Sequence, residues 1–80
     1  MTREQERRIE SECNWKLMEF HRNAKTYQRL WTYWADNRPD SVIFIETHRG
    51  AKYAVCDGSI DKWELFKDYR NMLQYLKKIA

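Results

Sequence analysis

The sequence predicts a small α+β domain of the order α-β-β-α, and three observations predict it. An apolar seam of helical spacing fills the N-terminal third, two short runs rich in β-branched and aromatic residues flank Arg49-Gly50, and a second amphipathic stripe closes the chain. With 80 residues, this is the length of one domain. A chain so short buries only about 60% of its unfolded surface, so its margin of stability is thin.

The first element begins at Thr2, which with Gln5 has the pattern of a capping box. Apolar residues then recur at Ile9, Cys13, Leu17, Phe20, Ala24, Tyr27, Trp31 and Trp34, in alternating steps of the heptad type. Read literally, residues 3–36 form one helix of about 51 Å at a rise of about 1.5 Å per residue. A rival reading breaks it near Asn23 or Thr26, either of which can cap a helix, giving a helical hairpin. The seam keeps its phase through that region, which favours the continuous helix.

Asn37-Arg38-Pro39-Asp40 ends the helix, because proline cannot continue it. SVIFIETH and AKYAVC then read as two strands, joined by a two-residue turn at Arg49-Gly50. That turn sets His48 opposite Ala51, Glu46 opposite Tyr53 and Phe44 opposite Val55. It places Ile43, Ile45, Ala54 and Cys56 on one face, and Phe44, Tyr53 and Val55 on the other. Asp57-Gly58 turns the chain again. Asp61 with Glu64 gives a second capping signature, for a helix over 61–78 with the stripe Leu65, Tyr69, Met72, Leu76 and Ile79. A two-stranded hairpin is marginal in water, so it must pack on the helices or pair its edges with another chain.

The bulk numbers exclude more than they assign. Hydrophobic residues at 42% with 34% charged are a globular mixture, not that of a disordered chain. Two Gly and one Pro imply long regular elements, and twelve Trp, Tyr and Phe give a short chain much area to bury. A net charge of +3 is compatible with an anionic partner without demanding one. No run of 18 apolar residues offers a membrane span, and the polar start is not a secretory signal. Cys13 and Cys56 lack CxxC spacing and read as free buried thiols in a reducing cytosol. With His21 and His48 they do not give metal-ligand spacing, so neither metal nor cofactor is expected.

Catalysis would need converging groups from Asp40, Glu46, His48, Asp57 and Asp61. Pro39-Asp40 followed by Glu46-Thr47-His48 has His48 where metal-dependent nucleases carry lysine, and the mismatch argues against that chemistry. Cys56 and His48 should emerge on opposite faces of the hairpin, which argues against a thiol nucleophile. No glycine-rich phosphate loop is present, and the expected class is non-enzymatic.

Two helix faces remain as candidate surfaces. On a continuous first helix, Arg22, Lys25 and Arg29 lie opposite the seam, flanked by Trp15, Met18 and Tyr33. Aromatic residues with arginine are enriched at protein interfaces, and the same pairing stacks on bases and neutralises phosphates. The second helix offers Trp63, Lys67, Arg70, Lys77 and Lys78, although cations in a last turn are favoured by the helix dipole whatever the function. The acids Glu4, Glu6, Glu10, Glu12 and Glu19 dilute any basic stripe, and no recognised nucleic-acid motif occurs. The expectation is a cytoplasmic protein-binding module acting through the aromatic and basic helix face, with homodimerisation as one way to cover the long helix. Its size and style fit a small accessory inhibitor of the kind phages and mobile elements encode. The alternative is a nucleic-acid-binding protein using the basic faces.

Overall fold

The computed structural model describes residues 1–47 and 52–80, with 38–41 described by backbone alone. It is a small compact α+β domain in two layers. The elements are α1 (Arg3–Cys13), β1 (Lys16–Arg22), β2 (Arg29–Ala35), β3 (Arg38–Thr47), β4 (Tyr53–Asp57), β5 (Lys62–Phe66) and α2 (Tyr69–Ile79). The strands form one antiparallel five-stranded meander, ordered as in the sequence, with β1 and β5 at its edges.

α1 starts where the capping box places it. The Thr2 hydroxyl accepts from the Gln5 amide at 3.1 Å, and the Thr2 amide donates to the Gln5 side chain at 2.8 Å. The helix ends after 11 residues, because Asn14 takes the left-handed conformation, with φ 59°. The expected helix over 3–36 is therefore wrong beyond Cys13. Its remainder is two strands, and the chain reverses at Asn23 as a strand hairpin rather than a helical one. Asn23 Oδ1 accepts from the amides of Lys25 and Thr26 at 2.9 and 3.3 Å, holding the turn.

The reason lies in a pattern with two periods. Trp31, Tyr33 and Ala35 recur at every second position, while Trp31 and Trp34 also continue the helical seam. Aromatic and β-branched residues favour the pleated alternative once neighbouring strands exist to pair with. An isolated rod would also leave most of its seam uncovered, whereas the sheet gives α1 and α2 a common surface to bury.

The expected two-stranded hairpin is likewise replaced, by a five-stranded sheet. β3 and β4 do pair, but with Thr47 opposite Tyr53, Ile45 opposite Val55 and Phe44 opposite Cys56, one residue from the expected register. A slip of one exchanges the faces of the second strand. Ile43, Ile45 and Val55 therefore share the buried face, while Phe44, Ala54 and Cys56 share the other. The Arg49-Gly50 turn lies outside the described residues. Asp57-Gly58 does turn the chain: the Gly58 amide donates to Val42 O at 2.8 Å, and Asp57 Oδ1 accepts from the Ser59 amide and hydroxyl at 3.0 and 2.7 Å. A Cβ on Gly58 would stand 2.9 Å from Val42 O, so a side chain does not fit there.

The second helix begins eight residues later than expected, at Tyr69. Asp61 sits in the β4–β5 turn with φ 48°, Glu64 is in β5, and the true N-cap is Asp68, which accepts from the Asn71 amide at 2.8 Å. Within the shorter helix the stripe holds: Met72 and Leu76 are fully buried, and Leu73 nearly so.

One core joins both helices to one face of the sheet. It contains Ile9 and Cys13 from α1, Trp31, Tyr33, Ala35, Ile43, Ile45 and Val55 from the strands, and the α2 residues just named. Polar ties fix the layers. Trp31 Nε1 donates to Glu6 at 3.0 Å, the Tyr69 hydroxyl to Gln5 O at 2.7 Å, and Trp15 Nε1 to Leu76 O at 3.0 Å. Cys13 and Cys56 are unlinked, buried thiols. No helix among the described residues is long and apolar enough to cross a membrane.

Candidate binding surface

Both helices lie on one side, so the other face of the sheet is open. Alternation of side chains and the strand register lay its residues out in three cross-strand rows. The first is Lys16, Trp34 and Val42; the second is Glu19, Thr32, Phe44, Cys56 and Trp63; the third is His21, Leu30, Glu46, Ala54 and Leu65. The β1 side of this face is polar and the side running to β5 is apolar. Trp34, Trp63 and Leu65 are 36%, 45% and 75% exposed, and the adjacent turn shows Ile60 at 61%. Phe44, Val42, Leu30 and Ala54 are half-buried between them.

Charge on this face is sparse and largely satisfied. Lys16 Nζ lies 2.7 Å from Asp36 and 5.1 Å from the centre of the Trp34 ring. The Glu46 carboxylate accepts from the Gln28 side chain. Among the described residues no arginine belongs to these rows. A recess of about 140 Å³ at its polar corner is lined by His21, Asn23, Gln28, Leu30 and Glu46.

The residues expected to form one outward helix face are dispersed. Trp15 and Tyr33 are fully buried in the core and cannot serve as contact residues in this fold. Met18 is 62% exposed, at the point where β1 slips register against β2. Arg22, Lys25 and Arg29 do come together, at the β1–β2 hairpin. Arg22 and Arg29 are direct cross-strand partners, and with Asn23, Ala24 and Tyr27 they line a groove of about 210 Å³. The second expected face is split as well: Trp63 lies on the open face of the sheet, whereas Arg70, Lys77 and Lys78 are on the exposed side of α2 and Lys67 precedes it. Lys77 is in an ion pair with Glu12, at 3.4 Å.

Sequence reasoning missed the open face itself. The helical seam places Trp34 in a core, the hairpin register places Phe44 opposite Val55 rather than Cys56, and the second stripe places Leu65 on a helix rather than in β5. The signal available was a run, Arg29 to Ala35, with large apolar residues at both odd and even positions. Such a strand has two faces to cover rather than one.

Glu46 does not converge with Asp57 and Asp61, and the Asp40 side chain and His48 lie outside the described residues. Glu46 is on the open face, while Asp57, whose register partner is the core residue Ile43, points to the covered side. Burial, and then the nearby Asp61 and Asp57 carboxylates, push the Cys56 thiol above its ordinary range, away from thiolate chemistry at neutral pH. Among the described residues no three His, Cys, Asp or Glu side chains cluster as metal ligands. Comparison with protein families, curated proteins and solved structures returned no match.

Proposed function

We propose that this protein is a non-catalytic protein-binding module whose contact surface is the open face of the sheet, centred on Trp34, Phe44, Trp63 and Leu65. The observation that carries the reading is that large apolar side chains occupy both faces of the same strands, while only one face is covered. Contiguous exposed apolar area with aromatic anchors is the mark of a surface that another molecule covers. The chemistry it fits is an apolar protein surface of low charge, since Lys16, the one Lys or Arg among the described residues of its cross-strand rows, is already paired with Asp36. Blocking a partner's surface through such a face is how a small accessory inhibitor would act.

The test is capture from a nuclease-treated lysate of the native host, comparing wild type with Trp34→Glu combined with Ile60→Glu. Both positions are exposed, so the fold should survive. A protein held by wild type and lost by the variant supports the reading; equal capture by both overturns it.

A second reading, nucleic-acid binding, draws on the β1–β2 hairpin, where Arg22 and Arg29 face each other beside Lys25. Neither arginine pairs with an acid among the described residues, and a phosphate would relieve their repulsion. Strand or duplex binding that weakens steeply with salt and is lost in Arg22→Glu with Arg29→Glu would favour it.

A further inference from the structure

The two edges of the sheet differ in a way that selects one of them for pairing. β1 slips register at Met18 and carries Lys16, Glu19, His21 and Arg22, devices that discourage strand addition. β5, Lys62-Trp63-Glu64-Leu65-Phe66, pairs with β4 without a slip and carries the two most accessible apolar residues of the open face's rows, Trp63 and Leu65.

The directions of its backbone groups follow from one hydrogen bond. The Gly58 amide donates to Val42 O at 2.8 Å, so the residues of β3 whose backbone groups point to β4 are Val42, Phe44 and Glu46. Their partners on β4 are Cys56 and Ala54, which leaves the groups of Val55 and Asp57 pointing to β5, where they meet Glu64 and Lys62. By the same alternation, the backbone N–H and C=O groups of Trp63 and Leu65 point out of the sheet, at its free edge.

We infer that β5 is a self-pairing edge, and that its occupant is the β5 of a second copy of this chain, antiparallel and centred on Glu64. That register is the one that superposes the whole strand on its copy. It sets Trp63 opposite the second copy's Leu65, and Leu65 opposite its Trp63, so the outward donors and acceptors of both strands meet. On the open face, each indole lies beside a leucine, twice over. On the covered side, Glu64 meets its own copy. That repulsion is moderated by Lys62, whose Nζ lies 3.5 Å from the Glu64 carboxylate of its own strand and which sits diagonally from the other. The product is a two-fold symmetric ten-stranded sheet with one continuous open face. The inference builds on the proposed function, since it doubles the same surface, but it is tested separately.

Sedimentation velocity from about 1 µM to 1 mM spans the range in which so small an interface dissociates. Wild type is expected to shift from monomer to dimer within it. Leu65→Lys, at an exposed position, should weaken the dimer by about tenfold or more. Glu64→Gln should tighten it about threefold, because it removes the central repulsion. The competing register, centred on Trp63, would set Lys62 against Glu64, and there Glu64→Gln would loosen the dimer. A monomer at every concentration, a dimer indifferent to Leu65→Lys, or loosening by Glu64→Gln each overturns the inference. Trp34→Glu with Ile60→Glu should leave this equilibrium unchanged, so failure of the dimer and failure of the docking face are read in different experiments.

Discussion

The covered and open faces of the sheet are made of similar residues and differ in what lies above them. Beneath the helices are Trp31, Tyr33, Ile43, Ile45 and Val55, all at or below 2% exposure. On the other side Trp34, Val42 and Phe44 come from the same strands β2 and β3, and Trp63 and Leu65 from β5, with exposure rising to 75% at Leu65. A solvated sheet face is ordinarily polar at alternate positions. Here alternation is lost toward β5 and kept toward β1, so the open face is itself divided. The helices account for one apolar layer, and the proposed partner accounts for the other.

The largest effect separates the two layers energetically. Ile45→Ala, in the covered layer, should cost about 2–5 kcal/mol, since the removed methylenes leave a cavity that packed neighbours only partly fill. Leu65→Ala, on the open face of the monomer, should change stability by no more than about 0.5 kcal/mol. Urea midpoints at a concentration low enough to hold the chain monomeric compare them directly. If Ile45→Ala leaves no folded baseline, Ile45→Val, at about 1 kcal/mol, gives the same sign. A Leu65→Ala cost near that of Ile45 would show that the open face is already covered within one chain.

The middle effect is a window in pH. Burial, more than any neighbouring charge, pushes the Cys13 thiol up to about 11 from an ordinary value near 9. The folded state therefore keeps this proton where the unfolded chain has released it. Stability contributed by the neutral thiol is whole below about pH 9 and falls as pH rises toward about 11, since the unfolded state then binds fewer protons. Cys13→Ala should flatten that part of the stability–pH curve. A slope unchanged by the substitution would place Cys13 in wetter surroundings than the α1–α2 contact, where its Sγ lies 3.6 Å from Leu73 O.

Local signals and non-local ones were unequally legible in the sequence. Thr2 with Gln5, Asp57-Gly58 and the Met72–Leu76 spacing act within a few residues, and each is found where its chemistry places it. β3 and β4 were legible as strands but not in register, because Thr47 opposite Tyr53 is decided by which side chains enter the core. β1, β2 and β5 were illegible because their aromatics satisfy two periods at once, and only pairing between distant segments chooses between them. The candidate site suffered most. Arg22, Lys25 and Arg29 do gather, but on a hairpin, while Trp15 and Tyr33, outward on one long helix, are core residues once that helix ends at Cys13. The open face has no local signature at all.

The smallest predicted effect concerns Tyr33, the residue moved furthest, from expected surface to observed core. Its side chain is fully buried, and its hydroxyl has no hydrogen-bond partner among the described residues. Burial, and then the negative charge of Glu6 and Glu10, hold the phenol well above its ordinary range, so it stays neutral. Trp15 is equally buried, but its indole N–H donates to Leu76 O at 3.0 Å. The two therefore oppose each other as tests of the covered layer. Removing a buried hydroxyl that is bonded costs stability, whereas removing one that is unbonded deletes a desolvation penalty and keeps the ring. Tyr33→Phe should be neutral or stabilising by up to about 1 kcal/mol, while Trp15→Phe should destabilise through both lost volume and a lost donor. A Tyr33→Phe loss above about 0.5 kcal/mol would mean that the hydroxyl has found a partner in solution, with Glu6 and Glu10 of α1 the nearest candidates on charge.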